Sequence, residues 1–473
     1  MTIEYAPVLR IDFKIDTQCE ISFTRRQDRE PAIIVRNNSF SVANLSELRQ
    51  EVRDILRQLI APMGTQSVLP LRQALSAMAK LRRDMKFILI KLFGEAVRKQ
   101  LPAAINLCND LCLGWDKPGW DGNSILPNLI VVTAPVGHGI PIDLLPLFDV
   151  SSSEAGTTMT DLARLASSFI GFSTIVKREV GSPIPTSTNL ENIPRLPLKM
   201  FINRSLNGAV REEAYLSKSV HLDVEQSWPD ASAPLDAVAF CQSLAQYLWQ
   251  PDKGFAGGVR NPPDQICHFS CHCDTTTSLA KDYALWLQSD RLFGRGKQKV
   301  TLESLTNALV LLGIANSADR RPRPLVFFNA CGSGDMDPAG ASSFPDLFLK
   351  KDLGFIGFVG TETTIPDEFA ADFSKVFYEQ LLAAVPIGRA IHAARWKLLR
   401  SNCNPLGILY SLYAEPEIRV RSPVVTAENA LWRTAESDQP AFTEPTTGVW
   451  AFLRRHLGRR PGSQEVSKLS QAR

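Results

Sequence analysis

The chain has 473 residues, 44% hydrophobic and 21% charged, an ordinary globular balance that permits a full core and two or three domains. Its net charge of +3 is the small difference between 52 basic and 49 acidic residues, which excludes a general nucleic-acid or polybasic membrane surface. No run of about 18 uninterrupted apolar residues is present, so no membrane span is expected. The N-terminus lacks a basic stretch followed by an apolar one, so no signal peptide is expected either. Nine cysteines, an odd number at irregular spacing, predict thiols in a reducing cytoplasm rather than a disulfide framework.

In chain order, Leu9, Ile11, Phe13 and Ile15 alternate with polar residues and predict a half-buried strand, with further strands at Ile21–Phe23 and Ile33–Val35. Asn44 with Glu47 resembles a capping box, and Leu48, Val52, Ile55 and Leu59 form the apolar stripe of the helix it opens. Residues 70–113 predict a long helix. Its basic residues Arg72, Lys80, Arg82, Arg83, Lys86 and Lys91 read as a solvated face.

From residue 126 onward, short apolar runs at 126–133, 198–203, 266–272, 325–331 and 354–359 alternate with helical segments at 161–170, 234–247, 302–312 and 368–382. That alternation predicts an α/β fold with a mainly parallel sheet flanked by helices. Loops at 249–264 and 335–345 stand where a substrate cleft would be shaped. Beyond residue 422 the composition turns polar and proline-containing, which predicts a largely disordered basic tail, with a short amphipathic helical turn around 449–457.

Two runs carry chemistry. Ile266–His272 ends in a histidine, and Leu325–Cys331 ends in a cysteine followed by Gly332 and Gly334. In parallel sheets reactive groups sit beyond the carboxyl ends of strands, and a thiol becomes a nucleophile at neutral pH when imidazole takes its proton. His272 stands where its strand should end and is the candidate base. His268, four residues earlier on the same strand face, is the packing residue. Backbone N–H groups of Cys331 and Cys273 are the candidate oxyanion donors. A zinc site built from Cys267, His268, Cys271, His272 and Cys273 is disfavoured, because along a strand the cysteines and histidines alternate across the two faces. No phosphate-binding loop and no GxSxG elbow are present, so no cofactor is implied. His392 is expected to be structural, on a helix.

The run Asn329-Ala330-Cys331-Gly332, with a histidine strand upstream, resembles the caspase arrangement, and within it the bacterial CHAT (caspase/separase-like) peptidases. Ile140-Pro141-Ile142-Asp143-Leu144-Leu145 resembles the family's Ile-Pro-Trp-Glu-Leu-Leu motif, and Ala390-Ile391-His392-Ala393-Ala394-Arg395 its Ala-Leu-x-x-Ala-Arg. Residues 366–382 resemble its long helix and Tyr410–Val420 its last strand. The likeness spans residues 85–422. It implies two caspase-like halves, a degenerate one at 85–235 and a catalytic one at 236–422, between an N-terminal β/helix extension (1–84) and the tail (423–473). It further implies a cysteine endopeptidase acting on a protein substrate in bacterial defence or programmed death, with a gasdermin-like target among the candidates and an activating partner. Asn329, two residues before the cysteine, would line the specificity pocket, with Asp335 and Asp337 able to receive a basic side chain. Cys273 departs from the family's glycine after the histidine, a side chain that could crowd the oxyanion hole. The alternative is an inactive CHAT-fold scaffold in which Cys331 is a packing residue.

Overall fold

The computed structural model describes residues 7–15, 19–25, 41–63, 66–112, 128–134, 140–146, 157–180, 189–191, 195–224, 227–230, 233, 236–249, 266–275, 283–287, 298–313, 324–330, 344–349, 355–363 and 365–421. The expected strand at Ile33–Val35, both cleft loops apart from Trp249 and Phe344–Pro345, the glycines after the cysteine and the C-terminal tail lie outside them.

The N-terminal section forms β1 (Pro7–Ile15), β2 (Cys19–Arg25), α1 (Val42–Ile60) and α2 (Leu71–Cys112). Helix α1 starts earlier than expected. Ser41, not Asn44, is its N-cap, because the Ser41 hydroxyl accepts the Asn44 N–H at 3.2 Å. Leu48, Val52 and Leu59 are buried as the stripe requires, and they pack with Leu81, Met85 and Ile88 of α2 in one core cluster. Arg72, Arg83, Lys86 and Lys91 of α2 face water, and Lys80 and Arg82 are half-buried.

Next come β3 (Asn128–Ala134), α3 (Met159–Ser167), α4 (Ile170–Ser173), β4 (Thr174–Val180), β5 (Asn189–Glu191), β6 (Leu196–Ile202), α5 (Asn207–Leu216), β7 (Leu222–Val224) and α6 (Ala237–Trp249). They are followed by β8 (Ile266–Thr275), β9 (Tyr283–Leu287), β10 (Gln298–Thr301), α7 (Leu302–Leu311), β11 (Leu325–Ala330), α8 (Phe344–Phe348) and β12 (Gly357–Thr361). The described chain closes with α9 (Asp367–Leu382), α10 (Ile387–Asn402), β13 (Tyr410–Ala414) and β14 (Arg419–Arg421).

Among the described residues twelve strands join in one mainly parallel sheet. Strands β7, β6, β8, β11 and β12 run parallel in that order. β13 is antiparallel to β12 and begins a second block, in which β4, β3 and β1 run parallel to it. The two blocks therefore present their carboxyl ends at opposite edges. β6 and β7 precede residue 236 in sequence and lie in the block that contains β8. One core cluster fills the face covered by α9 and α10, and a second, with Phe240, Leu244, Leu305 and Phe348, fills the face covered by α6, α7 and α8.

The two motif segments of the second block meet. Asp143, in a 3-10 turn at Ile142–Leu144, accepts from Arg178 of β4 and from Arg395 of α10, both at 2.9 Å and all three buried. Arg178 also donates to Glu362, just past β12, and to the Tyr413 hydroxyl at 3.1 Å. Burial opposes the Arg178 charge, but Glu362, Tyr413 and Asp143 outweigh it and hold the guanidinium above its ordinary value. Charges this deep persist because each is paired and hydrogen-bonded. The same turn of α10 carries His392, whose Nε2–H donates to the Phe172 carbonyl at 2.8 Å.

Burial, with Arg395 and Arg389 nearby, pushes His392 down to about 3. Its neutral form is therefore the folded one. The resulting stability is complete above the unfolded value near 6.5 and is lost as pH falls toward 3. Wild type should lose about 1.4 kcal/mol more per pH unit below that point than His392→Gln, which keeps a donor for Phe172 and does not titrate. Urea unfolding of both proteins between neutral and mildly acidic pH checks this.

Candidate functional site

The histidine and cysteine runs are hydrogen-bonded neighbours. β8 and β11 pair in parallel from Leu325↔Ile266 to Ala330↔Cys271. Both strands are buried between neighbours, with one apolar face and one face that carries the polar residues His268, Ser270 and Asn329. On one side Phe269 stacks between Phe201 and Phe328 at centroid distances of 4.3 and 4.2 Å. β8 continues beyond its expected end at His272, because residues 272–275 pair antiparallel with β9. Asn203, at the end of β6, fixes this corner. Its N–H donates to the Ser270 carbonyl at 2.9 Å, and its side-chain amide donates to the carbonyl of Trp286, the register partner of His272, at 3.1 Å.

Alternation sorts the side chains. His272 is exposed, and on its strand face Ser270 and His268 are buried behind it. Cys267, Cys271 and Cys273 occupy the opposite face in the aromatic core. The Cys273 side chain, 7% exposed, is thus directed away from the face that carries His272. Among the described residues no group of three or more histidine, cysteine or acidic side chains could hold a metal ion. Cys331, Asp335 and Asp337 lie outside the described residues.

Below the exposed histidine lies a polar network that the sequence did not reveal. His268 is fully buried, with its ring stacked on Phe327. Its Nδ1 lies 3.0 Å from the Tyr378 hydroxyl and its Nε2 2.5 Å from Glu212 of α5. Burial, with Glu212 and Cys267 nearby, pushes the Tyr378 phenol well above its ordinary value, so it is an O–H donor at neutral pH. Donation to Nδ1 leaves Nε2–H to donate to the Glu212 carboxylate. The other Glu212 oxygen accepts from the Asn329 amide, which also donates to the Ala370 carbonyl at 2.9 Å. The Asn329 oxygen accepts from the Tyr410 hydroxyl. Asn329, expected in a substrate pocket, is therefore turned inward. It is buried with both amide hydrogens and its oxygen engaged inside the protein.

Helix α5 approaches α9 at backbone distance. The Gly208 N–H donates to the Asp367 carboxylate at 3.1 Å, and a Cβ on Gly208 would lie 2.1 Å from the Asp367 carbonyl oxygen. Only a glycine allows this contact. The sequence signal for Glu212 was absent because, within Asn207–Leu216, it looks like any solvated helix acid.

A mainly parallel sheet with a histidine just past the last β8–β11 pair, beside a strand whose sequence runs into Asn-Ala-Cys-Gly, resembles the caspase-like arrangement. The family model of the CHAT domain matches residues 224–451 of the chain. Over 97 residues the chain is 33% identical to a protein of Vitiosangium sp. (strain GDMCC 1.1324) described as a probable protease. That match covers 20% of this chain and 12% of the relative. Among solved structures, a Saccharomyces cerevisiae separase–securin complex aligns over 87% of this chain and 30% of the other at 9% identity and a TM-score of 0.39. A structure described only as a protease aligns over 67% and 69% at 8% identity and a TM-score of 0.36. Among the described residues no helix is long and apolar enough to cross a membrane.

Tyr410→Phe leaves the Asn329 oxygen without its donor in the interior. It should cost about 1–3 kcal/mol of stability, read as a lowered urea midpoint at unchanged slope.

Proposed function

We propose that the chain is a cysteine endopeptidase in which His272 activates Cys331. The observation that carries this reading is the register. Every described β8–β11 pair is offset by 59 residues, the same offset that separates His272 from Cys331. Supporting it, His272 is exposed one residue past the last described β8–β11 pair, while His268 is sealed and hydrogen-bonded on both nitrogens.

In this mechanism the His272 imidazole takes the proton from the Cys331 Sγ–H, and the thiolate adds to the scissile carbonyl carbon. The oxyanion that forms is held by the N–H groups of Cys331 and Cys273. The Cys273 side chain packs in the aromatic core on the opposite strand face from His272. The imidazolium then returns its proton to the leaving amine as the C–N bond breaks. Water, deprotonated by His272, releases the thioester. Asp335 and Asp337 are the candidate receivers of a basic substrate side chain. Residues 236–422 are the catalytic half, supplying both reacting groups; the degenerate half, 85–235, carries neither but contributes β6, β7 and α5 to the same sheet block. The N-terminal section and the tail serve partner recognition. The substrate in this reading is a specific protein in the cytoplasm, with a gasdermin-like protein of a bacterial defence system as the candidate and an activating partner as a candidate regulator.

Cys331→Ala should abolish labelling by a caspase-type peptidyl electrophile, and His272→Ala should slow it by roughly 100-fold or more. Equal labelling of wild type and Cys331→Ala would instead make the chain a scaffold that keeps the fold. Full activity in His272→Ala would remove His272 from the mechanism and contradict the reading, because His268 is sealed in the interior.

A further inference from the structure

We infer that Glu212 is the positioning residue of the cysteine–histidine pair, an inference that rests on the reading of His272 and Cys331 given above. Its carboxylate is buried, and its two oxygens diverge to two different strands: one to His268 of β8, the other to Asn329 of β11. These residues stand four positions before His272 and two before Cys331. They are not register partners. His268 pairs with Phe327, and Asn329 with Ser270. The carboxylate therefore bridges the two strands on a diagonal, and a slip of either strand along the other breaks one of its bonds.

Apolar packing would hold a helix on these strands at lower desolvation cost, but it is non-directional. A carboxylate has only acceptors, so it requires one donor from each strand at a fixed spacing. The helix that carries it is itself held. The Gly208–Asp367 contact fixes α5 against α9, and α9 supplies Tyr378 to His268 and the Ala370 carbonyl to Asn329. Tyr410 of β13 closes the network from the other side. Glu212 touches neither reacting group. It acts through the strands that end in them.

The test is alkylation of Cys331 by iodoacetamide in the full chain, followed by mass spectrometry across the neutral pH range. Glu212→Gln keeps the shape but offers one acceptor where two donors converge. Glu212→Asp keeps the charge but is one methylene too short to reach both strands, and it carries the test if the glutamine variant does not fold. Each variant with wild-type far-UV circular dichroism should alkylate Cys331 roughly 10- to 100-fold more slowly and lose the His272-dependent inflection. A folded variant that melts earlier yet keeps the wild-type rate and pH profile would overturn the inference and reduce Glu212 to a stability residue. Failure of the site reading itself shows without touching Glu212. In that case His272→Ala alkylates as fast as wild type, and the inference falls with it.

Discussion

The parallel pairing of β8 with β11 is the constraint on which the candidate site depends. An antiparallel pair can take its register from a tight turn, but a parallel pair is joined by a long crossover and has none. A slip of one residue would turn His272 toward the aromatic core and Cys273 toward solvent. Register must therefore come from what each face buries. On one face Phe201, Phe269 and Phe328 stack as a row across β6, β8 and β11. On the other, His268 stacks on Phe327, and Glu212 ties His268 to Asn329. The aromatic row favours registers that keep large rings in contact, and the carboxylate selects among them by direction.

The second block of the sheet has a different anchor. Asp143, Arg178, Glu362 and Arg395 form a buried charge cluster that joins a turn, a strand, a helix and the end of β12. Glu362 lies immediately beyond β12, the strand beside β11, so the cluster and the site are separated by one strand. Gly171 and Gly407 both lie against this cluster, where a Cβ would meet Asp143 or Arg395 near 2.9 Å. The Asp143 and Arg395 motif segments, far apart in sequence, are the two sides of one ion pair.

What could be read in the sequence follows from where the determining interactions lie. Strands β3, β6, β8, β11 and β12 were legible because burial on both faces demands continuous apolar runs. β4 was missed because its run Lys177-Arg178-Glu179 is charged; Arg178 is buried against Asp143 and Glu362, while the half-buried Lys177 and Glu179 pair with each other and with Glu415 and Arg10. The extension of β8 to Thr275 depends on β9, a non-local partner. Alternation puts His272 and His268 on one face, and only position at the end of the apolar run could prefer His272. Neither the role of Glu212 nor the inward turn of Asn329 could be read, since both arise from tertiary hydrogen bonds among α5, α9, β8, β11 and β13.

The central claim is that the constant β8–β11 register carries on to join His272 and Cys331. A crystal structure of the chain bearing a peptidyl electrophile tests it most directly. The account predicts a single thioether on Cys331, with a ring nitrogen of His272 within about 4 Å of the sulfur. An adduct on another cysteine, or one on Cys331 with the His272 ring beyond direct or one-water reach, would contradict it.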